Sequence, residues 1–371
     1  MFTMTKKQRT ILFIILLISF LIITPIIILY SQGYRFDWNS KKLTQTGAFY
    51  FKVVPSRADV FINGTLVKKT DFFFDSLLLG NLVPKLYFVR IQKDGYIPWT
   101  KSLEVKPKQV TEAKNIILFP NHINFKTVLE NVKDFWPSFD SKKIILQKAV
   151  PGQKWQAYLW NLETNEQKIL TRQKNNESIS RVLWSQDSSR ILIQNLVFNI
   201  KGSKNDACVQ TPCDIESFTK TNPNMLFLST EEETQEILLK FDANKTIQKK
   251  FDSSSVLIPS PNKRKIAISN DSEIWMYYAE DQNDQPMKKA GDFAFLARYS
   301  AQPNNLAWLN DHEIIFTVGN SIKISEIDDR APLNIADIAT YPAPKLFWQE
   351  QNKTLTVLSE GNVFVSEKLI R

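Results

Sequence analysis

Apolar and polar positions follow three different rhythms along this chain, and each predicts a different kind of element. The first is an unbroken run, Ile11 to Tyr30 (ILFIILLISFLIITPIIILY), without a charge. About 20 such residues, rising about 1.5 Å each, match a hydrocarbon core of about 30 Å. The run therefore reads as a transmembrane helix, which Pro25 kinks without preventing it from spanning. Lys6, Lys7 and Arg9 precede it, and a basic flank is retained in the cytoplasm, so everything after Tyr30 is expected outside. A cleaved secretory signal is the competing reading, but its apolar region usually runs only about 7 to 15 residues and ends in a small-x-small site. Tyr30-Ser-Gln-Gly-Tyr34 is a poor site of that kind, and a lipoprotein signal lacks its cysteine, the first being Cys208.

The second rhythm is strand-like. In Ser31 to Thr46 the aromatics Tyr34, Phe36 and Trp38 alternate, which suits either a bilayer interface or a short strand. From Gly47 the chain reads as short strands with a period of two. The runs are Ala48 to Val54, Ala58 to Ile62, Leu86 to Gln92, Leu103 to Val105 and Val110 to Leu118. Asn63-Gly64 and Asp94-Gly95 supply tight turns, because both residues of the first pair tolerate the positive φ of a type I′ hairpin. Between them lies an unusually apolar insert, Phe72-Phe-Phe-Asp-Ser-Leu-Leu-Leu79. It reads as part of this domain's core, with a docking or membrane-facing patch as the alternative.

The order Pro55-Ser-Arg-Ala58, Val60-x-Ile62-Asn63-Gly64, Thr70, Leu86-Tyr87-x-Val89 and Lys93-Asp94-Gly95-Tyr96 resembles the PEGA domain. That resemblance implies a β-sandwich-like module of bacterial surface and envelope proteins, with no catalytic residues to carry over.

The third rhythm is a repeat. An apolar pair, Trp or Pro, a polar turn with Asp or Asn, and a basic residue before three apolar ones recur after residue 120. Copies run Phe135 to Leu146, Val182 to Ile193, Leu257 to Ile268, Leu306 to Phe316 and Leu346 to Val357. Apart from one long step, the copies are spaced by about 40 to 50 residues, which suits a four-stranded propeller blade. The exception, from Trp184 to Pro259, holds polar filler from Lys201 to Asn224 and reads as an insertion. The copies resemble TolB-like propellers, whose repeat core is Trp-Ser-Pro-Asp-Gly; Trp184-Ser-Gln-Asp-Ser188 matches it best. The predicted fold class is all-β: one N-terminal transmembrane helix, a small PEGA-like β-sandwich and a five- or six-bladed propeller. The expected divisions are a basic flank at 1–10, the helix at 11–30, a linker at 31–46, the PEGA-like domain at 47–119 and the propeller at 120–371. A strand within Ile116 to Leu129 is expected to close the last blade, and the tryptophans are expected to pack between blades.

Charge and chemistry narrow the function. The 47 Lys+Arg against 38 Asp+Glu give a net +9, spread through turns as on a Lys-rich soluble surface. No basic helix with interleaved aromatics appears, so nucleic acid is not expected as a partner. Cys208 and Cys213, the only cysteines, allow a disulfide closing a small loop in an oxidising compartment, with free thiols as the alternative. Zinc is not expected, since the two histidines, His122 and His312, are remote from them. Neither a nucleophile elbow, a zinc-binding His-Glu-x-x-His helix nor a phosphate loop is present. His312 reads as an exposed turn residue. Asp140, Asp187 and Asp311 are the carboxylates that could flank a substrate, yet each occupies the same turn position, where Asp bonds its own backbone.

No catalytic, metal or cofactor site is therefore expected. The sequence reading is a non-enzymatic protein of the cell membrane, single-pass, with a cytoplasmic N-terminus. Its propeller is expected to bind a protein, peptide or cell-envelope polymer. A scaffold or assembly role in an envelope complex, and less so a carboxylate hydrolase, are the alternatives.

Overall fold

The computed structural model describes residues 6–38, 41–150, 153–173, 179, 182–185, 187–193, 196–200, 226–228, 234–242, 245–252 and 256–370. The chain divides into two compact units, Met1–Leu118 with Arg330–Pro332, and Phe119–Asp329 with Leu333–Arg371.

The first unit begins with helix α1 (Lys6–Ser31), which contains Pro25 and buries none of its residues. It is long and apolar enough to cross a membrane, and Lys6, Lys7 and Arg9 form its opening turns. Its end is a glycine stop. Gln32 N–H donates to Ile28 O at 3.0 Å and Gly33 N–H to Tyr30 O at 3.2 Å. Gly33 adopts φ +82, a left-handed conformation that costs glycine little. A hairpin follows, β1 (Tyr34–Asp37) on β2 (Lys42–Gln45). Arg35 stacks on the Tyr30 ring at 3.5 Å, tying the hairpin to the helix end.

Seven strands then form two facing sheets: β3 (Gly47–Val54), β4 (Asp59–Ile62), β5 (Thr65–Lys69), β6 (Ser76–Leu82), β7 (Leu86–Gln92), β8 (Trp99–Glu104) and β9 (Val110–Ile117). The orders are β6-β3-β9 and β5-β4-β7-β8. The alternation read from sequence decides the core: Phe49, Phe51 and Val53 from β3, Val60 from β4, and Val89 and Ile91 from β7 are buried together. Asn63 and Gly64 both take positive φ, 48 and 83, as the type I′ turn requires. The pairing of β3 with β9 is parallel, a relation that alternation along either strand does not reveal.

The second unit is a β-propeller. Strand β10 (Phe125–Leu129) opens it. One four-stranded sheet holds β11 (Val132–Pro137), β12 (Lys143–Val150), β13 (Gln153–Asn161) and β14 (Gln167–Gln173). Two three-stranded sheets follow, β15 (Val182–Trp184), β16 (Arg190–Ile193) and β17 (Leu196–Asn199), then β18 (Leu226–Leu228), β19 (Thr234–Asp242) and β20 (Lys245–Asp252). Next come β21 (Val256–Pro259), β22 (Lys265–Ser269), β23 (Glu273–Tyr278) and β24 (Phe293–Arg298). Another meander is β25 (Pro303–Trp308), β26 (Glu313–Val318), β27 (Ser321–Glu326) and β28 (Ile335–Thr340). The last sheet combines β29 (Lys345–Gln349), β30 (Thr354–Ser359) and β31 (Asn362–Ser366) with β10, which pairs antiparallel with β31. The described residues of this unit thus form six sheets, closed by a strand from its own beginning.

Each repeat copy is the hairpin of the first two strands of a sheet. The long step from Trp184 to Pro259 includes a sheet, β18 to β20, rather than insertion alone. Its first two strands, LFL and TQEILLKFD, and the residues joining them carry neither the Trp or Pro nor the Asp or Asn turn of the copies, so the repeat is not legible there.

Candidate functional site

The turn carboxylates come first, because they were the residues capable of chemistry. In the β11–β12 turn, Ser138 Oγ donates to Asp140 Oδ1 and accepts the Lys143 N–H at 3.0 Å, while Lys142 N–H donates to Asp140 Oδ1 at 3.0 Å. The β15–β16 turn repeats this with Ser185 Oγ to Asp187 Oδ1 at 2.7 Å and Arg190 N–H to Ser185 Oγ at 2.8 Å. The β21–β22 turn repeats it with Ser260 Oγ to Asn262 Oδ1 at 2.8 Å and Lys265 N–H to Ser260 Oγ at 3.0 Å. Ser141, Ser188 and Lys263 take positive φ at the same turn position. Asn262 lacks a titrating group altogether, so the lock needs an acceptor and not an acid.

Neighbouring turns are also joined. Asp140 N–H donates to Ser188 Oγ at 3.1 Å, and Asn262 N–H donates to Asp311 Oδ1 at 2.9 Å. Burial pushes the Asp140 carboxyl up, but the Ser138 hydroxyl, the Lys142 N–H and the Lys143 ammonium together hold it below its usual value. The Ser185 and Ser189 hydroxyls hold Asp187 far below the carboxylate range. Asp140 and Asp187 lock their own turns, but Asp311 departs from the shared position expected of it: Asn310 Oδ1 accepts the His312 and Glu313 N–H groups of its turn, and Asp311 serves the neighbouring one. Among the described residues no group of three or more His, Cys, Asp or Glu is placed to hold a metal.

The tryptophans do more than pack. Trp184 donates its indole N–H to Trp136 O at 3.1 Å, Trp308 to Ile258 O at 2.9 Å, and Trp348 to Leu309 O at 3.0 Å. Each bond reaches back to the sheet before it in the chain. Lys345 closes the ring electrostatically, its ammonium 2.6 Å from Asp134 Oδ1 on β11 and over the Phe135 and Trp136 rings.

His312 corrects the sequence reading. It is half-buried, and burial, reinforced by the Lys265 ammonium, pushes its pKa down to about 4. Beside it Glu313 is 2% exposed, its Oε2 without a hydrogen-bond partner. Burial raises its pKa to about 8. Glu313 opens β26 at the position where Lys143, Arg190 and Lys265 open β12, β16 and β22. Its exception to that basic pattern was the signal that repeat comparison offered. His122 is exposed in its linker. Cys208 and Cys213, with the disulfide considered for them, lie outside the described residues.

The apolar insert supplies the second correction. Leu77 enters the core of the small unit, but Phe72, Phe73 and Phe74 stand exposed, Phe73 at 82%. The loop's base is pinned by Thr70 N–H to Ala58 O and Asp71 N–H to Ser76 O. Asp71 Oδ1 accepts the N–H groups of Phe73 and Phe74 at 2.7 and 3.0 Å. Too few residues separate β5 from β6 for the rings to fold back, and Arg57 caps the Phe72 ring at 4.2 Å.

No known family model matches this chain, and no curated protein matches it by sequence. Among solved structures, the β-propeller domain of Cps50 (Swd1) from Myceliophteria thermophila is 9% identical, with 66% of this chain and 99% of that one covered at a TM-score of 0.42. An auxiliary nutrient binding protein from Bacteroides thetaiotaomicron is 12% identical over 84% of this chain and 90% of its own, at 0.37. A luciferin-regenerating enzyme is 10% identical over 67% and 96%, at 0.39. Likeness at that level conveys nothing about activity.

Proposed function

We propose that the chain is a membrane-anchored, extracytoplasmic interaction protein without catalytic activity, in which a PEGA-like unit and a propeller hold a protein partner. α1 is its single span, with the N-terminus in the cytoplasm. The observation that carries this reading is the apex Phe72-Phe73-Phe74. Three adjacent rings stand exposed on a loop whose turn Asp71 holds by two hydrogen bonds, and contiguous exposed apolar surface marks a site of interaction. The engagement of Asp140, Asp187 and Asp311 in turn bonding supports the non-catalytic part.

A photo-reactive phenylalanine analogue in place of Phe73, in the full chain in intact cells, tests it. A discrete, stoichiometric cross-linked protein is expected, and Phe73→Asp should abolish co-purification of that protein while leaving the thermal transition in place. Cross-links to lipid alone, or to no discrete species, would overturn the reading.

A further inference from the structure

The strand register of the small unit separates its chain reversals into two ends. β3 runs from Gly47 away from the helix, and each following strand reverses. Asn63-Gly64, residues 83–85 and residues 105–109 therefore lie at the end nearest α1, and residues 55–58, 70–75 and 93–98 at the other. A chain of hydrogen bonds links the near end to the helix stop. Gly33 O accepts Thr46 N–H at 2.9 Å and Thr46 Oγ1 at 3.0 Å, and Thr46 O accepts Lys108 N–H at 3.1 Å. Arg35 adds a bond to Asn81 Oδ1 at 3.1 Å, at the near end of β6. Eight residues of β3 at about 3.3 Å each place the Phe72–Phe74 apex about 25 Å from this end.

The two ends differ in charge. Arg35, Lys41, Lys42, Lys85, Lys106 and Lys108 stand at the near end or on the β1–β2 hairpin, against Asp37 and Glu104. At the far end Lys52, Arg57, Lys68, Lys69 and Lys93 are nearly matched by Asp59, Asp71, Asp75 and Asp94. The hairpin also exposes the apolar Phe36 and Leu43, and Trp38, 83% exposed, is the kind of amphipathic ring that settles at headgroup depth.

We infer that the near end of the small β unit is a second membrane contact: Lys85, Lys106 and Lys108 rest on anionic headgroups of the bilayer that α1 enters, with Trp38 seated in the interface. The inference rests on α1 being a span. A bilayer is the occupant that the geometry selects, because only two residues separate α1 from β1 and the bonds through Gly33 and Thr46 leave no slack for the end to lift away. Lysines near an anionic surface each favour it by about fivefold, so the contact selects anionic lipid. It also turns the phenylalanine apex away from the membrane, toward a protein.

The test uses the full chain in nanodiscs of phosphatidylcholine, alone or mixed with phosphatidylglycerol, and a lipid with a nitroxide on its headgroup. A coumarinyl amino acid replaces Gln109 in one sample and Phe73 in another. Strong quenching at 109, rising with phosphatidylglycerol, and little at 73 are expected. Lys85→Gln/Lys106→Gln/Lys108→Gln should remove the rise. Equal quenching at both sites, or none at 109, would overturn the contact. Flotation of the same protein with vesicles reports the anchor separately: loss of flotation sinks the span itself, whereas flotation without quenching at 109 sinks only the surface contact.

Discussion

Trp308 reaches across to the preceding sheet and donates its indole N–H to the Ile258 carbonyl at 2.9 Å. Trp308 is otherwise buried among Ala267, Ile314 and Phe316, so one side chain fills the layer between sheets and fixes their relative height. Trp308→Phe keeps much of the volume but removes the indole N–H that Ile258 O accepts. A loss of about 2 kcal/mol is expected, read as a lower urea midpoint. An unchanged midpoint would mean that the indole acts through packing alone.

Gly47 is needed for space rather than for a special backbone angle. A Cβ there would lie 2.3 Å from Lys106 O, 2.7 Å from Val105 Cγ1 and 2.8 Å from Gln109 O, two of them backbone atoms that cannot swing aside. Gly47→Ala should therefore destabilise the small unit by about 1 to 3 kcal/mol and lower its thermal transition. Tolerance of the methyl would show that the 105–109 turn is free to shift.

Glu313 and His312 give the propeller a pH profile of defined sign. Burial raises Glu313 from 4.5 to about 8, so between those values the folded chain holds a proton that the unfolded chain has released, and stability falls as pH rises. Burial lowers His312 from 6.5 to about 4, so between those values the unfolded chain holds the extra proton and stability rises with pH. The two slopes oppose each other from about 4.5 to 6.5 and leave Glu313 acting alone from about 6.5 to 8. Glu313→Gln should flatten the decline in that upper window and stabilise the protein at its top by on the order of a few kcal/mol. A decline that persists in the variant would assign it to another group.

Ser260 and Asn262 form the turn lock without a carboxylate, which separates the structural use of that motif from any acid-base use. Ser260→Ala removes the hydroxyl that accepts Lys265 N–H at 3.0 Å and should cost about 1 kcal/mol by urea denaturation. Asp187→Asn keeps the acceptor and should change stability less than Ser185→Ala does at neutral pH. If Asp187→Asn instead abolished a turnover seen with cell-wall glycans or peptides, the non-catalytic reading would fail.

Features that depend on local periodicity were legible in the chain alone. Twenty uncharged residues must form a helix that satisfies its own backbone in an apolar phase. Alternation in β3 and β7 dictates which faces are buried, and Asn63-Gly64 admits one kind of turn. The Trp and Asp-turn repeats marked five of the six sheets because each copy meets the same surroundings; β18 to β20 stayed hidden because their residues do not repeat them. Relations between residues distant in sequence were set by packing. It exposed Phe72 to Phe74, whose apolar character alone argued for burial, because the loop between pinned strand ends is too short to turn them inward. It buried Glu313, charged in any local reading, at the start of β26, because burial is set by packing that no local pattern records. The strand expected within Ile116 to Leu129 does close the last sheet, as β10 on β31, but only packing paired β3 with β9 in parallel, since strand partners are set by which edges remain open once the sheets have packed.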